Sequence, residues 1–380
     1  MRKQRIVVKI GSSSLTNGKG EIDLVKLVDH VEALANLRQE GHEVLLVSSG
    51  AVAAGFKELG YPARPVTLKG KQAAAALGQS LLIKAYIEEF KARDVSVAQI
   101  LLTRPDFSNQ AQYKNAFDTI SELLARGVMP IINENDTVST EELKFGDNDM
   151  LSALVSGLVH ADELIILTDV NGIYDSNPST NPDATKFNHL SEIEDHMIEN
   201  AGGAGSSAGT GGMRSKLLAA RTALNLGVTV FIGKEIGSYK LLRILSGHGD
   251  GTYVKREKAS SVTINRQWIG MHSHISGQIY VDEGAERAIV SNGKSLLHGG
   301  IERVEGTFKE GDVVEVHGAE GDLLGRGKIA YSSASLEHMI GTRRNEWRME
   351  SPTFEEVIHR NHLVMEVAYR TKSDRNSSQL

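Results

Sequence analysis

From its start to about residue 250 the chain alternates short apolar runs with segments whose apolar positions recur at helical spacing. Ile6 to Ile10 is an apolar run ending at Gly11-Ser12-Ser13-Ser14, and the segment Leu24 to Gln39 carries Leu24, Leu27, Val28, Val31, Leu34 and Leu37 on one face. Asp23 stands where a helix cap is needed and Gly41 where the helix must stop, since an aspartate oxygen accepts the first free N–H groups and glycine tolerates a left-handed turn. The next run, Val44 to Val47, ends at Ser48-Ser49-Gly50-Ala51. The same alternation predicts helix Gln72 to Arg93 before strand Val97 to Leu102, helix Gln110 to Ala125 before strand Val128 to Ile132, and helix Met150 to Val159 before strand Leu164 to Leu167. After a long loop come a helix near Ser191 to Asn200, a glycine-rich stretch, a helix to Leu226 and strand Val228 to Ile232. Strands that are apolar throughout are buried on both faces, so this is an α/β chain predicted to form a three-layer αβα sandwich around a mainly parallel sheet.

Past Gly247-His248-Gly249-Asp250-Gly251 the pattern changes. Lys255-Arg256-Glu257-Lys258-Ala259-Ser260-Ser261 has the composition of a linker, and from Trp268 onward short strand patterns alternate with turns at the spacing of a small β-barrel. These include Gly277 to Asp282, Gly293 to Leu297, Gly311 to Val316 and Leu324 to Ala330, with a helix pattern over Asp282 to Ile289. The expected division is a first domain over 1–254, a linker over 255–275, a barrel over 276–357 and a tail over 358–380, frayed from Thr371 to Leu380.

Composition narrows the classes. A chain of 380 residues that is 40% hydrophobic can bury more than one core, and its net charge of −6 gives no global attraction to nucleic acid or anionic membrane. There is no cysteine, which removes disulfides, thiol nucleophiles and cysteine-ligated zinc. Met1-Arg2-Lys3-Gln4-Arg5 runs straight into a strand without a signal-peptide core, and no apolar run reaches membrane-spanning length, so a cytoplasmic location is expected.

In an open parallel sheet, ligands gather beyond the carboxyl ends of the strands. Those ends read Lys9-Ile10-Gly11-Ser12, Ser48-Ser49-Gly50-Ala51, Asn133-Glu134-Asn135-Asp136 and Thr168-Asp169, small or polar residues apart from Ile10. Lys9 interrupts an otherwise apolar strand, where its ammonium either reaches water from an edge or meets an anion. The bare backbone Gly202 to Gly212 pours into an apolar helix that carries Lys216 in its first turn. Such a backbone, with free helix N–H groups behind it, can cradle a polyphosphate; the other reading is a surface loop capped at Thr210. The spacing matches neither a Walker A loop nor a dinucleotide fingerprint. A second polar cluster, Phe145-Gly146-Asp147-Asn148-Asp149, opens a helix. Asn148 or Asp149 could simply cap it, or Asp149 could hold two ammonium groups while another carboxylate takes a substrate ammonium.

In order and spacing these segments resemble the amino-acid kinase family, specifically its glutamate-phosphorylating members, and the region from Gly277 resembles a PUA domain. The motifs are Lys9-Ile10-Gly11-Ser12-Ser13, Ser48 to Ala51, Asn133 to Asp136, Phe145 to Asp149, Thr168-Asp169 with Gly172-Ile173-Tyr174, and Gly209-Thr210-Gly211-Gly212-Met213 with Lys216. The resemblance implies transfer of the ATP γ-phosphoryl group to the side-chain carboxylate of L-glutamate, the opening step of proline biosynthesis, with magnesium carried by the nucleotide. Proline is implied as an inhibitor, a homo-oligomer (dimer or tetramer) as the assembly, and channelling to the next enzyme of the pathway as an option. Lys9, Lys216 and Asp149 would be catalytic. Lys9, Gly11, Thr168, Asp169 and the stretch Thr210, Gly211, Gly212, Met213, Arg214, Ser215 and Lys216 would bind ATP. Ser49, Gly50, Asn133, Asp136, Asp147 and Asn148 would bind the amino acid. Arg214-Ser215 departs from the family, which often has a small or acidic residue and then threonine there. Rival readings are a sister kinase acting on N-acetylglutamate, aspartate, carbamate or a nucleoside monophosphate, and an RNA-binding protein. The interleaving of Glu302, Glu305, Glu310, Asp312, Glu315, Glu320 and Asp322 with the basic residues weakens the RNA reading.

Overall fold

The apolar run at the start of the chain forms β1 (Arg5–Ile10), which lies inside a sheet and not at its edge. The computed structural model describes residues 2–139, 148–176, 178, 180–201, 212–256, 268–273, 275–341 and 356–365. Two compact units divide the chain, residues 1–106 with 111–261 and residues 107–110 with 262–380.

After β1 the chain continues through α1 (Leu24–Gln39), β2 (Glu43–Ser48), α2 (Ala51–Gly55), α3 (Leu68–Lys91), β3 (Val97–Leu102), α4 (Arg104–Ser108), α5 (Gln110–Ala125) and β4 (Met129–Glu134), all in the first unit except residues 107–110. It goes on through α6 (Asn148–Leu158), β5 (Glu163–Leu167), the short strands β6 (Ile173–Tyr174), β7 (Lys186–Phe187) and β8 (His189–Leu190), α7 (Asp195–Asn200), α8 (Met213–Asn225), β9 (Thr229–Gly233), α9 (Lys240–Leu245) and β10 (Gly251–Val254). The sheet order is β3-β4-β2-β1-β5-β9-β10-β8. Strands β3 to β9 of that order run parallel, and β10 turns antiparallel on β9.

Successive residues of a strand face opposite sides. Ile6, Val8 and Ile10 join Leu27, Val31 and Leu34 of α1 and Leu241 and Ile244 of α9 in one buried cluster. Val7 and Lys9 therefore face the other layer, where α6 packs on β1 and α8 packs on α6. The strand order reverses at β1: the chain first lays β2 beside β1, then β3 at the far edge with β4 filling the place between them, and then crosses back to set β5 on the opposite flank of β1. A reversal of this kind opens a crevice at the carboxyl ends of the central strands, and Lys9 stands at its floor.

Local capping accounts for element boundaries. Asp23 accepts from Val25 and Lys26 N–H groups at the start of α1. The long helix α3 begins at Leu68, ahead of the predicted Gln72, because the Thr67 hydroxyl accepts from the Gly70 N–H and supplies a cap there. Helices α2 and α3 touch backbone to backbone at Gly55 and Gly78, where an added Cβ on Gly78 would lie 1.8 Å from the Ala51 carbonyl oxygen.

In the second unit, Trp268–His272 is a single helical turn, and β11 (Ile275–Val281) opens a sheet. The strands β12 (Leu296–Leu297), β13 (Ile301–Gly306), β14 (Val313–His317), β15 (Leu323–Lys328), β16 (Glu356–Ile358) and β17 (Leu363–Met365) follow. They form a sheet of order β13-β11-β14-β15-β17 and a β12–β16 ladder. Ile279, Val281, Val314, Val316, Phe308 and Leu336 lie in its core. Residues 358–380 were expected as a tail, but Leu363–Met365 pairs with β15 and so belongs to the sheet. Thr371 to Leu380 lies outside the described residues. No helix among the described residues is long and apolar enough to cross a membrane.

Candidate active site

Three side chains distant in sequence meet at the floor of the crevice. The Lys9 Nζ lies 2.5 Å from Asp149 Oδ1, and the Lys216 Nζ lies 3.1 Å from Asp149 Oδ2. All three are buried: Lys9 is 5% exposed, Lys216 7% and Asp149 0%. Burial by itself would raise the Asp149 carboxyl, but the two flanking ammonium groups outweigh it and hold its pKa below the ordinary carboxylate value. Asp149 lies in the first turn of α6, inside the helix and not at its cap, where the helix dipole also favours a negative charge. The central position of β1 excludes the edge-strand alternative for Lys9, which meets a carboxylate instead.

Gly11 lies two residues on, and a Cβ there would stand 3.2 Å from the Lys9 ammonium, so the glycine keeps the space beside that nitrogen uncrowded. On the neighbouring strand tip, which β1–β5 pairing sets beside Gly11, Thr168 donates its hydroxyl to Asp169 Oδ1 at 3.0 Å. The cap of α8 is Gly212, with no side-chain cap, so the first N–H groups of that helix have no side-chain acceptor at the cap. Ser215, expected at the nucleotide, directs its hydroxyl to Asp149 Oδ2 (3.1 Å) and to the Gly212 carbonyl oxygen (2.8 Å). Arg214 is exposed and Met213 half-buried on the same turn. Thr210 and Gly211 lie outside the described residues, as does Asp147.

Beside this centre a chain of amides extends toward β4. Asn148 Nδ2 donates to the Ser48 carbonyl oxygen (2.8 Å), to Ser49 Oγ (3.0 Å) and to Asn133 Oδ1 (2.9 Å). Asn133 Nδ2 donates in turn to Gln79 Oε1 at 2.7 Å. Gly50 closes the Ser48-Ser49 turn at φ 109°, a left-handed conformation that glycine adopts without strain. A cavity of about 300 Å³ opens at this end, lined by Ala75, Gln79, Leu101, Glu134 and Asp136 among others. Of the residues singled out from sequence, Lys9, Asp149 and Lys216 form one cluster, and Ser49, Asn133 and Asn148 form a second that joins it through the adjacent positions 148 and 149. Asp136 lines the cavity.

Sequence reasoning missed Gln79. It sits in the run Lys71-Gln72-Ala73-Ala74-Ala75-Ala76-Leu77-Gly78-Gln79, where a glutamine reads as an ordinary polar helix position. The one available signal was Gly78 beside it, since a glycine inside a helix marks a close approach. Glu134, quoted from sequence in the Asn133 to Asp136 motif without a role of its own, is buried at 8% exposure and accepts from Ser139 Oγ at 3.1 Å.

Comparison with known proteins identifies the family. The amino acid kinase family model matches residues 4–234, and the PUA domain model matches residues 277–348. Glutamate 5-kinase 1 of Bacillus licheniformis is 62% identical over 364 residues, covering 96% of this chain and 99% of that protein. Glutamate 5-kinase 1 of Bacillus subtilis is 59% identical over 364 residues, with 96% and 99% covered. The glutamate 5-kinase of Halalkalibacterium halodurans is 54% identical over 367 residues, with 96% and 98% covered. A parallel sheet that reverses at β1, a buried Lys-Asp-Lys cluster at that reversal and identity sustained over nearly the whole length together place the chain in the amino acid kinase family, within its glutamate 5-kinase group.

Proposed function

We propose that this protein transfers the γ-phosphoryl group of ATP to the side-chain carboxylate of L-glutamate, giving glutamyl 5-phosphate and ADP. The observation that carries the reading is the shared carboxylate: Asp149 holds two buried ammonium groups at 2.5 and 3.1 Å. Phosphoryl transfer asks for positive charge and N–H donors around the moving group more than for acid–base chemistry. A carboxylate is ionised and nucleophilic at neutral pH, so no general base is needed.

In this scheme a carboxylate oxygen of glutamate attacks the γ-phosphorus in line, the bond to the β,γ-bridging oxygen breaks, and the electron pair leaves with ADP. Lys9 and Lys216 offset the charge on the transferring group, and Asp149 keeps both in place. The N-terminus of α8 and the stretch from Thr210 to Lys216 hold the phosphates, with Gly11, Thr168 and Asp169 at the nucleotide and magnesium arriving on it. Ser49, Gly50, Asn133, Asp147 and Asn148 orient the amino acid, whose ammonium goes to Asp136. We extend the proposal to the opening step of proline biosynthesis in the cytoplasm, proline inhibition, a homo-oligomer (dimer or tetramer) and hand-over of the labile product to the next enzyme. The nucleic-acid alternative loses support at the Tyr280 ring, where Glu305 bonds its hydroxyl and Glu315 its stacking partner His317.

ADP release measured side by side with L-glutamate, N-acetyl-L-glutamate, L-aspartate and uridine monophosphate tests the reading. L-glutamate should be preferred strongly. Equal or better turnover with any of the other three would reassign the acceptor.

A further inference from the structure

The amide chain beside the Lys-Asp-Lys cluster has only one consistent orientation, because main-chain groups pin both ends. At one end the Ser48 carbonyl oxygen can only accept, so the Asn148 atom 2.8 Å away is its nitrogen. At the other end the Glu134 N–H can only donate, so the Asn133 atom 2.9 Å away is its oxygen. That oxygen also takes the Asn148 donor at 2.9 Å, which leaves the Asn133 nitrogen to donate to Gln79 at 2.7 Å. Gln79 must therefore present its oxygen to Asn133. Its NH₂ group is the amide end that remains, and Gln79 lines the 300 Å³ cavity together with Asp136.

We propose that Gln79 is a specificity-determining residue: its side-chain N–H₂ donates to the α-carboxylate of the amino-acid substrate while its oxygen fixes Asn133 and, through it, Asn148. The inference rests on the proposed glutamate-kinase reading and deepens it. The cavity then carries an acid for the substrate ammonium and a neutral donor for the substrate carboxylate, the pair an unmodified α-amino acid requires. N-acylation removes the partner of Asp136, and amidation of the α-carboxylate removes the partner of Gln79. Asn148, adjacent in sequence to Asp149, links this recognition end to the phosphoryl end, so the side-chain carboxylate is delivered to the lysines with its far end already anchored.

Two measurements on the full-length protein test this. The first uses L-glutamate α-amide, which keeps the reacting carboxylate. The wild-type protein should show a KM for it roughly tenfold to a hundredfold above that for L-glutamate, the range for a hydrogen bond to a charged group. The second uses Gln79→Glu, which retains an acceptor for Asn133 but sets a negative oxygen in place of the donor. It should raise the KM for L-glutamate by a similar factor while the KM for ATP stays unchanged, and it should lose or invert the preference for glutamate over its α-amide. Equal KM values for the two substrates in the wild type would overturn the proposal without any variant. An unchanged glutamate KM in a folded Gln79→Glu protein would overturn it as well. Failure of the wild type to phosphorylate glutamate at all would instead sink the underlying reading, so the two failures are distinguishable.

Discussion

Asp149 presents one carboxylate oxygen to Lys9 at 2.5 Å, and neither side chain is more than 7% exposed. A pair this dry contributes little net stability as a pair, but removing one partner strands the other in low dielectric. Asp149→Asn takes the shared anion from both Lys9 and Lys216. Unfolding free energy should fall by on the order of 3 kcal/mol, read from denaturant midpoints, and turnover should be lost. The pH response follows from the lowered Asp149 pKa. The folded value lies below the unfolded one, so this stabilisation is present above the unfolded carboxyl pKa and is lost as pH falls through the lowered value. Urea titrations from neutral pH downward should show this contribution intact in mild acid in the wild type and missing from the variant.

Replacing either lysine tests the part of the same cluster that the proposed reaction uses. Lys9→Met and Lys216→Met each keep an apolar stem of similar volume and remove one of the two buried positive charges that the proposed reaction sets on the transferring group. Each should lower kcat by about 10²–10³-fold, the loss typical of one electrostatic donor, while circular dichroism shows a retained fold. A kcat within threefold of wild type in either variant would remove that lysine from the reaction.

Gly78 tests how tightly the proposed recognition end is built. An alanine Cβ there would lie 1.8 Å from the Ala51 carbonyl oxygen, and backbone cannot swing aside as a flexible side chain can. Gly78→Ala should cost about 1–3 kcal/mol or more in stability. It should also raise the KM for the amino acid, since Ala51 continues the turn that carries Ser49 and Gly50.

Glu163, at the start of β5, has its pKa raised to about 7, chiefly by burial and against the attraction of Lys255. The sign is opposite to that of Asp149. A folded pKa above the unfolded one means stability is fully present below the unfolded value and is lost as pH rises through the folded value. Glu163→Gln should therefore melt higher than wild type at pH 8, by an amount on the order of 1–3 kcal/mol, and match it at pH 4. A difference independent of pH would show that Glu163 does not titrate in this range.

Each of the two units has its own buried apolar core, the larger around β1 and α1 and the smaller around β11 and β14. A chain ending at Lys258 should fold cooperatively and retain phosphoryl transfer. A folded but inert fragment would show that the C-terminal unit takes part in the reaction.

The parallel core was legible because fully buried strands must be apolar along their whole length, and Lys9 stood out as the charge breaking that rule. Strand tips and helix caps such as Asp23 were legible for the same local reason. The meeting of residues 9, 149 and 216 depends on strand order, which hydrophobic period does not encode. The sequence motifs suggested it, and the sheet order β2-β1-β5 with α6 and α8 on one face realises it. The Gln79–Asn133 bond was illegible because it depends on which way distant amides point. The antiparallel β10 and the edge strand Leu363–Met365 escaped notice because a four-residue and a three-residue strand carry too few alternations to read.

One carboxyl group clasps positions 9 and 216, so the proposed reaction centre is also a rivet between the first strand and a helix more than two hundred residues later. Loosening either end disarms it. During heating or partial proteolysis, phosphoryl transfer should vanish in step with dissolution of the first unit's core, leaving no inactive intermediate in which that core survives with the rivet undone.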